Sequence, residues 1–262
     1  MNKLRLWETE WNAKAEEASR EQPLKSLTAL PQIPGITAET AKRLTWKSLK
    51  YLLKEDDGTI RSYLRKHPLR YGLAYLRSWM RGKPYKRDGD FFLYGIATIE
   101  AFEKLLQKSD TLLVIGFSYC HKPFECPSGR FTDQCARDFS NPVCRQCFIG
   151  KCVQALPSTG CVPLFIPTIH YIGGKIFELQ EQYPDKQLLF MITACELTLE
   201  MFGHLGNMVG IQGVGVRLDG RICNTMKAFE LSEAGIKPGL TVVLKSTQER
   251  ILDLIFKRSE RS

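Results

Sequence analysis

The sequence lacks the features that identify several common classes of protein. No run of about 18 apolar residues is present, so the sequence predicts no transmembrane helix. The first 22 residues are charged and contain no apolar stretch of the kind found in secretory signals, which favours a cytoplasmic protein. There is also no phosphate-binding loop, dinucleotide-binding fingerprint, serine nucleophile elbow or zinc-protease helix. No short motif therefore indicates a reaction.

Histidine is scarce, whereas cysteine is abundant. The 262 residues contain four histidines and nine cysteines. Disulfides are rare in a reducing compartment, so nine cysteines in a cytoplasmic protein predict metal binding or redox chemistry. His121 and His170 could bind a metal or transfer protons, but a single histidine carries little information, and we expect ordinary surface or core roles.

Acidic residues are scarce in one part of the chain. Residues 42–88, here called the basic segment, contain 14 Lys or Arg and 4 Asp or Glu, a balance of +10 in a chain of net charge +9. Aromatic residues alternate with these cations, which is typical of surfaces that bind nucleic acid or an anionic membrane. The candidate contacts are Arg70, Arg77 and Arg81, on one face of a predicted helix. Helices whose aromatic residues pack inward and whose charges face water are the simpler alternative.

Hydrophobic periodicity divides the chain into two parts. Residues 1–90 predict a basic helical extension, with helical spacing over 36–55 and a new helix at Pro68. Residues 91–262 predict a cysteine-rich α/β domain, because apolar strands alternate with helices. The predicted strands are 111–118, 163–167, 187–193 and 209–216, and the predicted helices are 91–107, 171–182, 225–235, one from Glu196 and a C-terminal one. The fold class is α/β: a mainly parallel sheet with flanking helices, an inserted cysteine-rich metal-binding loop at 120–161 and a helical basic N-terminal extension.

Most of the cysteines lie close together in the sequence. The stretch 120–161 contains seven of the nine, and "CRQCFIGKC" at 144–152 contains three of these. The seven are Cys120, Cys126, Cys135, Cys144, Cys147, Cys152 and Cys161. Because this stretch has little regular periodicity, a bound metal is a natural way to order it.

The other two cysteines follow predicted strands. Cys195 lies in "TACE", which fits a capping box with Thr193 as N-cap and Glu196 reaching back. Cys195 would then lie in the first turn of a helix, where the helix dipole favours a thiolate. Cys223 comes just before a predicted helix. Ligands bind at the carboxyl edge of parallel sheets, so we expect these two cysteines to converge there, beneath the cysteine-rich loop.

The ligand pattern favours an iron–sulfur cluster over zinc. Structural zinc usually has four ligands, often from two C-x-x-C pairs, whereas this sequence has one such pair and otherwise scattered cysteines. Clusters gather ligands from distant loops more readily. The candidate metal ligands, firmest first, are Cys144, Cys147, Cys195, Cys223, Cys120, Cys126 and Cys152. Structural zinc, or cysteines that only fill the core, as we expect for Cys161, are the alternatives.

Four short segments, in order, resemble the domain of unknown function 116 family of bacteria and archaea. They are "FSYCHKPFECPSGR" (117–130), "VCRQCFIGKC" (143–152), "FMITACELTLE" (190–200) and "GVGVRLDGRICNT" (213–225). The resemblance covers roughly residues 110–245 and implies an α/β protein whose cysteines suggest an iron–sulfur cluster. It carries over to Cys120, Cys126, Cys144, Cys147, Cys195 and Cys223. Cys152 matches less well, because the family tends towards a C-x-x-C-G-x-C run, and Cys135 is extra.

These features predict an iron–sulfur protein with one or two clusters, of the 4Fe-4S type, at the carboxyl edge of the sheet. Three cysteines on such a cluster would leave one iron open, which would permit redox, sulfur-transfer or desulfuration chemistry. A small-molecule or sulfur-containing substrate and an electron donor would then be partners. The alternative is a zinc-binding module without enzyme activity that binds nucleic acid or an anionic membrane through the basic segment.

Overall fold

The computed structural model describes residues 3–27, 29–31, 35–66, 68–80 and 85–259. The helices are α1 (Lys3–Glu21), α2 (Ala38–Ala41), α3 (Leu44–Glu55), α4 (Thr59–Lys66), α5 (Pro68–Met80), α6 (Ile99–Leu106), α7 (Pro142–Gln146), α8 (Phe148–Ala155), α9 (Ile169–Gln182), α10 (Glu196–Val209), α11 (Met226–Glu233) and α12 (Lys245–Ser259). The strands are β1 (Lys86–Asp88), β2 (Phe91–Tyr94), β3 (Thr111–Ser118), β4 (Cys161–Ile166), β5 (Gln187–Ala194), β6 (Gln212–Arg217), β7 (Asp219–Gly220) and β8 (Thr241–Val242).

Six strands form the central sheet in the order β1-β2-β6-β5-β3-β4. Strands β6, β5, β3 and β4 are parallel, whereas β2 is antiparallel to β6 and β1 is antiparallel to β2. Strands β7 and β8 form a separate two-stranded ribbon. The predicted α/β fold with a mainly parallel sheet is confirmed.

The central strands are buried on both faces because helices cover the sheet from both sides. Along β3, Leu113, Ile115 and Phe117 belong to one apolar cluster, and Val114 belongs to the other. This alternation is the period of two that a strand imposes on its side chains. Continuous apolar runs are typical of parallel strands covered on both faces, which is why the sequence predicted this strand correctly.

The helices of the first 80 residues pack on both faces of this sheet. On one face, Trp7 of α1 contacts Phe256 of α12, with ring centroids 5.3 Å apart. On the other face, Leu44, Ile60 and Tyr71 of α3, α4 and α5 are buried in the cluster that includes α9 and α10. These contacts cross the boundary that the sequence predicted at residue 90.

The predicted helix over 91–107 is wrong in its first half. Residues Phe91–Tyr94 form β2, whose four side chains are all buried, and the helix begins only at Ile99, after the N-cap Thr98. Gly95 separates the two elements with a φ of +61°, and a Cβ there would lie 2.8 Å from the carbonyl oxygen of Ile211. A short apolar run reads equally as strand or helix in the sequence, and pairing with β6 decides this one.

A buried guanidinium fixes the C-terminal helix to the sheet. Arg258 of α12 is 3% exposed and donates hydrogen bonds to the carbonyl oxygens of Leu106, Thr111 and Gly160 at 2.7, 2.7 and 3.0 Å. We expect Arg258→Met to lower the free energy of unfolding by about 3 kcal/mol, because it leaves several buried carbonyls without donors. Urea unfolding measures this change.

The matched control is Arg250→Met on the same helix. Arg250 forms its ion pairs with Glu103 and Asp253 at the partly exposed surface, where such pairs contribute at most about 1 kcal/mol. Equal urea midpoints for the two variants would contradict the role assigned to Arg258.

Candidate functional site

The topology opens a crevice between the carboxyl ends of β3 and β5. After β3 the chain crosses through α8, which packs in the apolar cluster of one face, whereas after β5 it continues into α10, which packs in the cluster of the other. Because the two connections leave adjacent strands on opposite faces of the sheet, neither α8 nor α10 fills the space between the strand ends, and α11 lines it. Ligands bind at this position in open α/β sheets.

Three cysteines from three separate segments of the chain meet at this crevice. Cys120 lies in a short 3-10 turn after β3, Cys195 is the N-cap of α10 after β5, and Cys223 lies in the loop before α11. All three line one enclosed cavity of about 30 Å³. We call Cys120, Cys195 and Cys223 the edge group. The structure brings Cys195 and Cys223 together at the carboxyl edge of the sheet, as the sequence predicted.

The predicted capping box at "TACE" is wrong in detail. Thr193 lies within β5 and Cys195 is the N-cap. Glu196 does not reach back but pairs with Arg87, at 3.1 Å from Nη1. Strand β5 continues to Ala194 because Thr193 and Ala194 pair with β6, so the helix begins two residues later than the capping box predicts.

The edge group is electrically asymmetric. The Nζ atom of Lys237 lies 3.1 Å from the sulfur of Cys223. A hydrogen bond from the thiol of Cys195, together with the charge of Lys237, lowers the pKa of Cys223 to about 6, and the same shared hydrogen bond raises the pKa of Cys195. Burial raises the pKa of Cys120. Cys223 therefore has the lower pKa of the pair, which favours the thiolate on Cys223 over Cys195.

Two further polar groups face the same cavity. The carboxyl of Glu233 accepts a hydrogen bond from the backbone N–H of Ile169 at 2.7 Å, and burial raises its pKa to about 8. The hydroxyl of Thr193 is buried and has no hydrogen-bond partner among the residues that the structure describes. Both groups line the cavity of the edge group. They can donate hydrogen bonds to a small ligand held there.

Four other cysteines line a second small cavity, of about 20 Å³, inside the cysteine-rich loop. We call Cys126, Cys135, Cys144 and Cys147 the loop group. Cys144 lies on α7 and Cys147 is the N-cap of α8. The two short helices meet closely at Gly150, where a Cβ would lie 2.5 Å from the carbonyl oxygen of Cys144.

Hydrogen bonds from backbone N–H groups point at sulfur in the loop group. Burial raises the pKa of Cys147 to about 12, and hydrogen bonds from the N–H groups of Gly150 and Ile149 act in the opposite direction. Burial likewise raises the pKa of Cys144, opposed by a hydrogen bond from the N–H of Asp138. Without a metal these thiols stay protonated at neutral pH, and a bound metal would displace their protons.

A buried lysine holds the loop together. Lys122 is 2% exposed, and its Nζ atom donates to the carbonyl oxygens of Gly129, Thr132 and Gln134 at 3.3, 2.9 and 2.7 Å. These acceptors are neutral, whereas burial of an ammonium group is costly without a nearby negative charge. Burial lowers the pKa of Lys122, and negative charge on the neighbouring sulfurs of Cys126, Cys135 and Cys147 raises it.

Arg130 joins the two groups of cysteines. Its guanidinium donates to the carbonyl oxygens of Lys122, Cys120, Lys237 and Gly239, at 3.1, 3.0, 2.8 and 2.7 Å. One side chain therefore ties the loop to Cys120 and to the segment that carries Lys237. The cysteine-rich loop is fixed to the edge of the sheet rather than hanging free.

Two cysteines, Cys152 and Cys161, lie apart from both the edge group and the loop group. Cys152, a predicted ligand, is fully buried on α8 within the apolar core. Cys161 begins β4, where burial raises its pKa and the side chain of Arg258 opposes the rise. Neither residue lines the cavity of the edge group or that of the loop group.

The predicted histidines and arginines lie elsewhere. Burial lowers the pKa of His121 to about 4, and His170 contacts the carbonyl oxygen of Leu52 at 3.0 Å. Arg77 is exposed on α5, the side chain of Arg70 is outside what the structure describes, and Arg81 lies outside the described residues.

Sequence reasoning missed several residues of the site. Cys135 stands nine positions from both Cys126 and Cys144, and this equal spacing could have placed it with them. Lys122, Lys237, Glu233 and the unpaired Thr193 hydroxyl carry no local signal, because their importance comes from contacts with distant segments. Over residues 3–27, 29–31, 35–66, 68–80 and 85–259, no three His, Cys, Asp or Glu side chains already have the arrangement of a site for a single metal ion.

Comparison of the chain with protein-family models, with curated proteins and with solved structures gives no match. The resemblance to the domain of unknown function 116 family therefore stays a prediction that depends on the four quoted segments.

Proposed function

We propose that this chain is a cysteine-ligated iron–sulfur protein with two centres, one at the loop group and one at the edge group. The observation that carries the proposal is the grouping of the cysteines: seven of nine line two enclosed cavities at one edge of the sheet. Thiolate sulfur favours iron–sulfur clusters and zinc over harder metals. Cysteines that merely filled the core would have no reason to gather in two places beside buried cations.

The loop group fits a centre that is closed to substrate. Four thiols provide a complete ligand set, and backbone N–H groups around Cys147 and Cys144 would stabilise sulfur ligands and tune a potential. The ammonium group of Lys122 would offset part of the negative charge that four thiolates bring into the interior.

The edge group fits a centre that is open to substrate. Three thiols leave a fourth ligand position free, and a cluster bound in this way would supply electron transfer and a place for a substrate atom to bind. The hydroxyl of Thr193 and the carboxyl of Glu233 face the same cavity and would donate hydrogen bonds to that substrate. The ammonium group of Lys237 would stabilise the thiolate form of Cys223.

A cluster is larger than the space of about 30 Å³ that the edge group lines, so these side chains would have to move apart to hold one. We propose that the open position supports redox or sulfur-transfer chemistry on a small or sulfur-containing substrate, with an external electron donor, in a reducing compartment such as the cytoplasm.

The test is metal and sulfide analysis of protein purified under strictly anaerobic conditions. We expect iron together with acid-labile sulfide, and the broad visible absorbance of thiolate-ligated clusters. Zinc without iron would overturn the cluster and leave the loop group as a structural zinc site. Neither iron nor zinc in anaerobic protein would overturn metal binding and leave the Cys195 and Cys223 pair as a thiol site.

A further inference from the structure

An exposed apolar stripe runs along α5. Leu69, Leu73, Leu76 and Met80 are 80%, 55%, 47% and 67% exposed. At about 100° per residue these four positions fall within about 60° of one another on the helix surface. Tyr71 lies on the opposite side, where it is buried and its ring packs 5.7 Å from that of Phe177. The helix is thus anchored by one face, and its other face presents hydrocarbon to the surroundings.

An apolar pocket opens beside the stripe. It has a volume of about 400 Å³, within the range of ligand pockets, and lies between α3, α4, α5 and α10. Its wall consists mainly of aliphatic side chains, among them Leu49, Leu52, Leu53, Ile60, Leu64 and Met201. Pro68 and Gly72 of α5 also line it, and both lie next to the stripe on the helix surface. The stripe and the pocket therefore form one continuous apolar surface.

Two exposed arginines flank this surface. Arg65 lines the pocket and is exposed, and Arg77 is exposed beside the stripe on α5. Both belong to the basic segment, whose balance is +10. Long basic side chains next to an apolar stripe are the arrangement by which helices lie in the headgroup region of an anionic membrane.

We propose that α5 docks on an anionic lipid bilayer and that the adjoining pocket receives an acyl chain from it. Over the described parts of the chain, no helix is both long and apolar enough to cross a membrane, so the attachment is to the surface. The charge selects this occupant over a second copy of the chain, because two copies would bring like charges together. The four exposed apolar side chains select it over nucleic acid, since they offer nothing to phosphates. The proposal does not depend on the cysteine groups.

The test is sedimentation of the full chain, purified anaerobically, with vesicles of phosphatidylcholine alone or mixed equally with phosphatidylglycerol. We expect at least about tenfold stronger binding to the anionic vesicles, and a loss of about tenfold or more in Leu69→Glu/Leu73→Glu. The matched control is Leu6→Glu, which changes an exposed leucine of α1 outside the stripe. This variant should bind vesicles like the unaltered chain.

A second variant tests the pocket. Nothing lies within 4 Å of a Cβ added at Gly72, so Gly72→Glu places a carboxylate at the pocket mouth without disturbing the fold, and we expect a similar loss of vesicle binding. Unaltered binding in this variant would remove the pocket from the site. Equal binding to neutral and anionic vesicles, or none to either, would overturn the proposal. The proposal would also be overturned if the chain bound RNA or itself, lost that binding in Leu69→Glu/Leu73→Glu, and did not bind vesicles.

Discussion

Replacing Cys144 and Cys147 with serine is expected to remove all the iron and sulfide held by the loop group and to leave that of the edge group. The thiolate is the metal ligand, and a serine hydroxyl does not ionise to replace it. Two of the four sulfurs lining that cavity would be lost, which leaves too few ligands for a cluster. Iron and sulfide per chain, measured after anaerobic purification, give the result.

The reciprocal variant separates the two centres. Cys195→Ser/Cys223→Ser removes two of the three sulfurs at the sheet edge and should leave the iron of the loop group intact. Loss of all iron in either double variant would show that the two groups are not independent centres. Unchanged iron in both would remove these four residues as ligands.

Three single variants provide a control and show whether Cys135 or Cys152 is the fourth ligand of the loop group. Cys161→Ser changes a half-buried cysteine away from both cavities and should leave the iron content unchanged. Cys152→Ser should also leave it unchanged, because Cys152 lies in the apolar core. Loss of iron in Cys152→Ser but not in Cys135→Ser would show that Cys152, as the sequence predicted, and not Cys135 completes the set.

Glu233→Gln is expected to flatten the dependence of stability on pH in protein prepared without metal. The pKa of Glu233 in the folded chain is raised by burial to about 8, from an ordinary value of 4.5. The folded state therefore holds a proton that the unfolded state releases at lower pH. This contribution to stability is complete below about pH 4.5 and is lost as the pH rises through about 8, by about 5 kcal/mol in all.

Glutamine keeps the hydrogen bond from Ile169 but has no proton to lose, so the loss with rising pH should disappear in the variant. Urea unfolding of both proteins between about pH 5 and 9 measures this loss of stability. Glu230→Gln, an exposed carboxylate on the same helix, is the control and should keep the unaltered pH dependence. Parallel curves for the chain and Glu233→Gln would show that Glu233 is ionised in the fold.

Local patterns predicted most of the sheet. The apolar run at Thr111–Ser118 and the run at Gln187–Ala194 could be read as buried strands because burial on both faces leaves no polar positions. The failures at 91–107 and at "TACE" occur where a local reading is ambiguous and pairing with β6 decides the outcome. The β6 partner lies more than 100 residues away from β2 and 23 residues away from the end of β5, so neither pairing leaves a trace in a local pattern.

The sequence by itself determined the alternation of strands and helices, the chemistry of nine thiols and the concentration of positive charge in residues 42–88. Only the tertiary structure divided seven of those thiols into two groups and moved Cys152 into the core. The reason is that side chains far apart in the chain meet according to the order of strands in the sheet and the face on which each connection crosses. Burial, which shifts the pKa values of Glu233 and Cys147, exists only once those segments are packed.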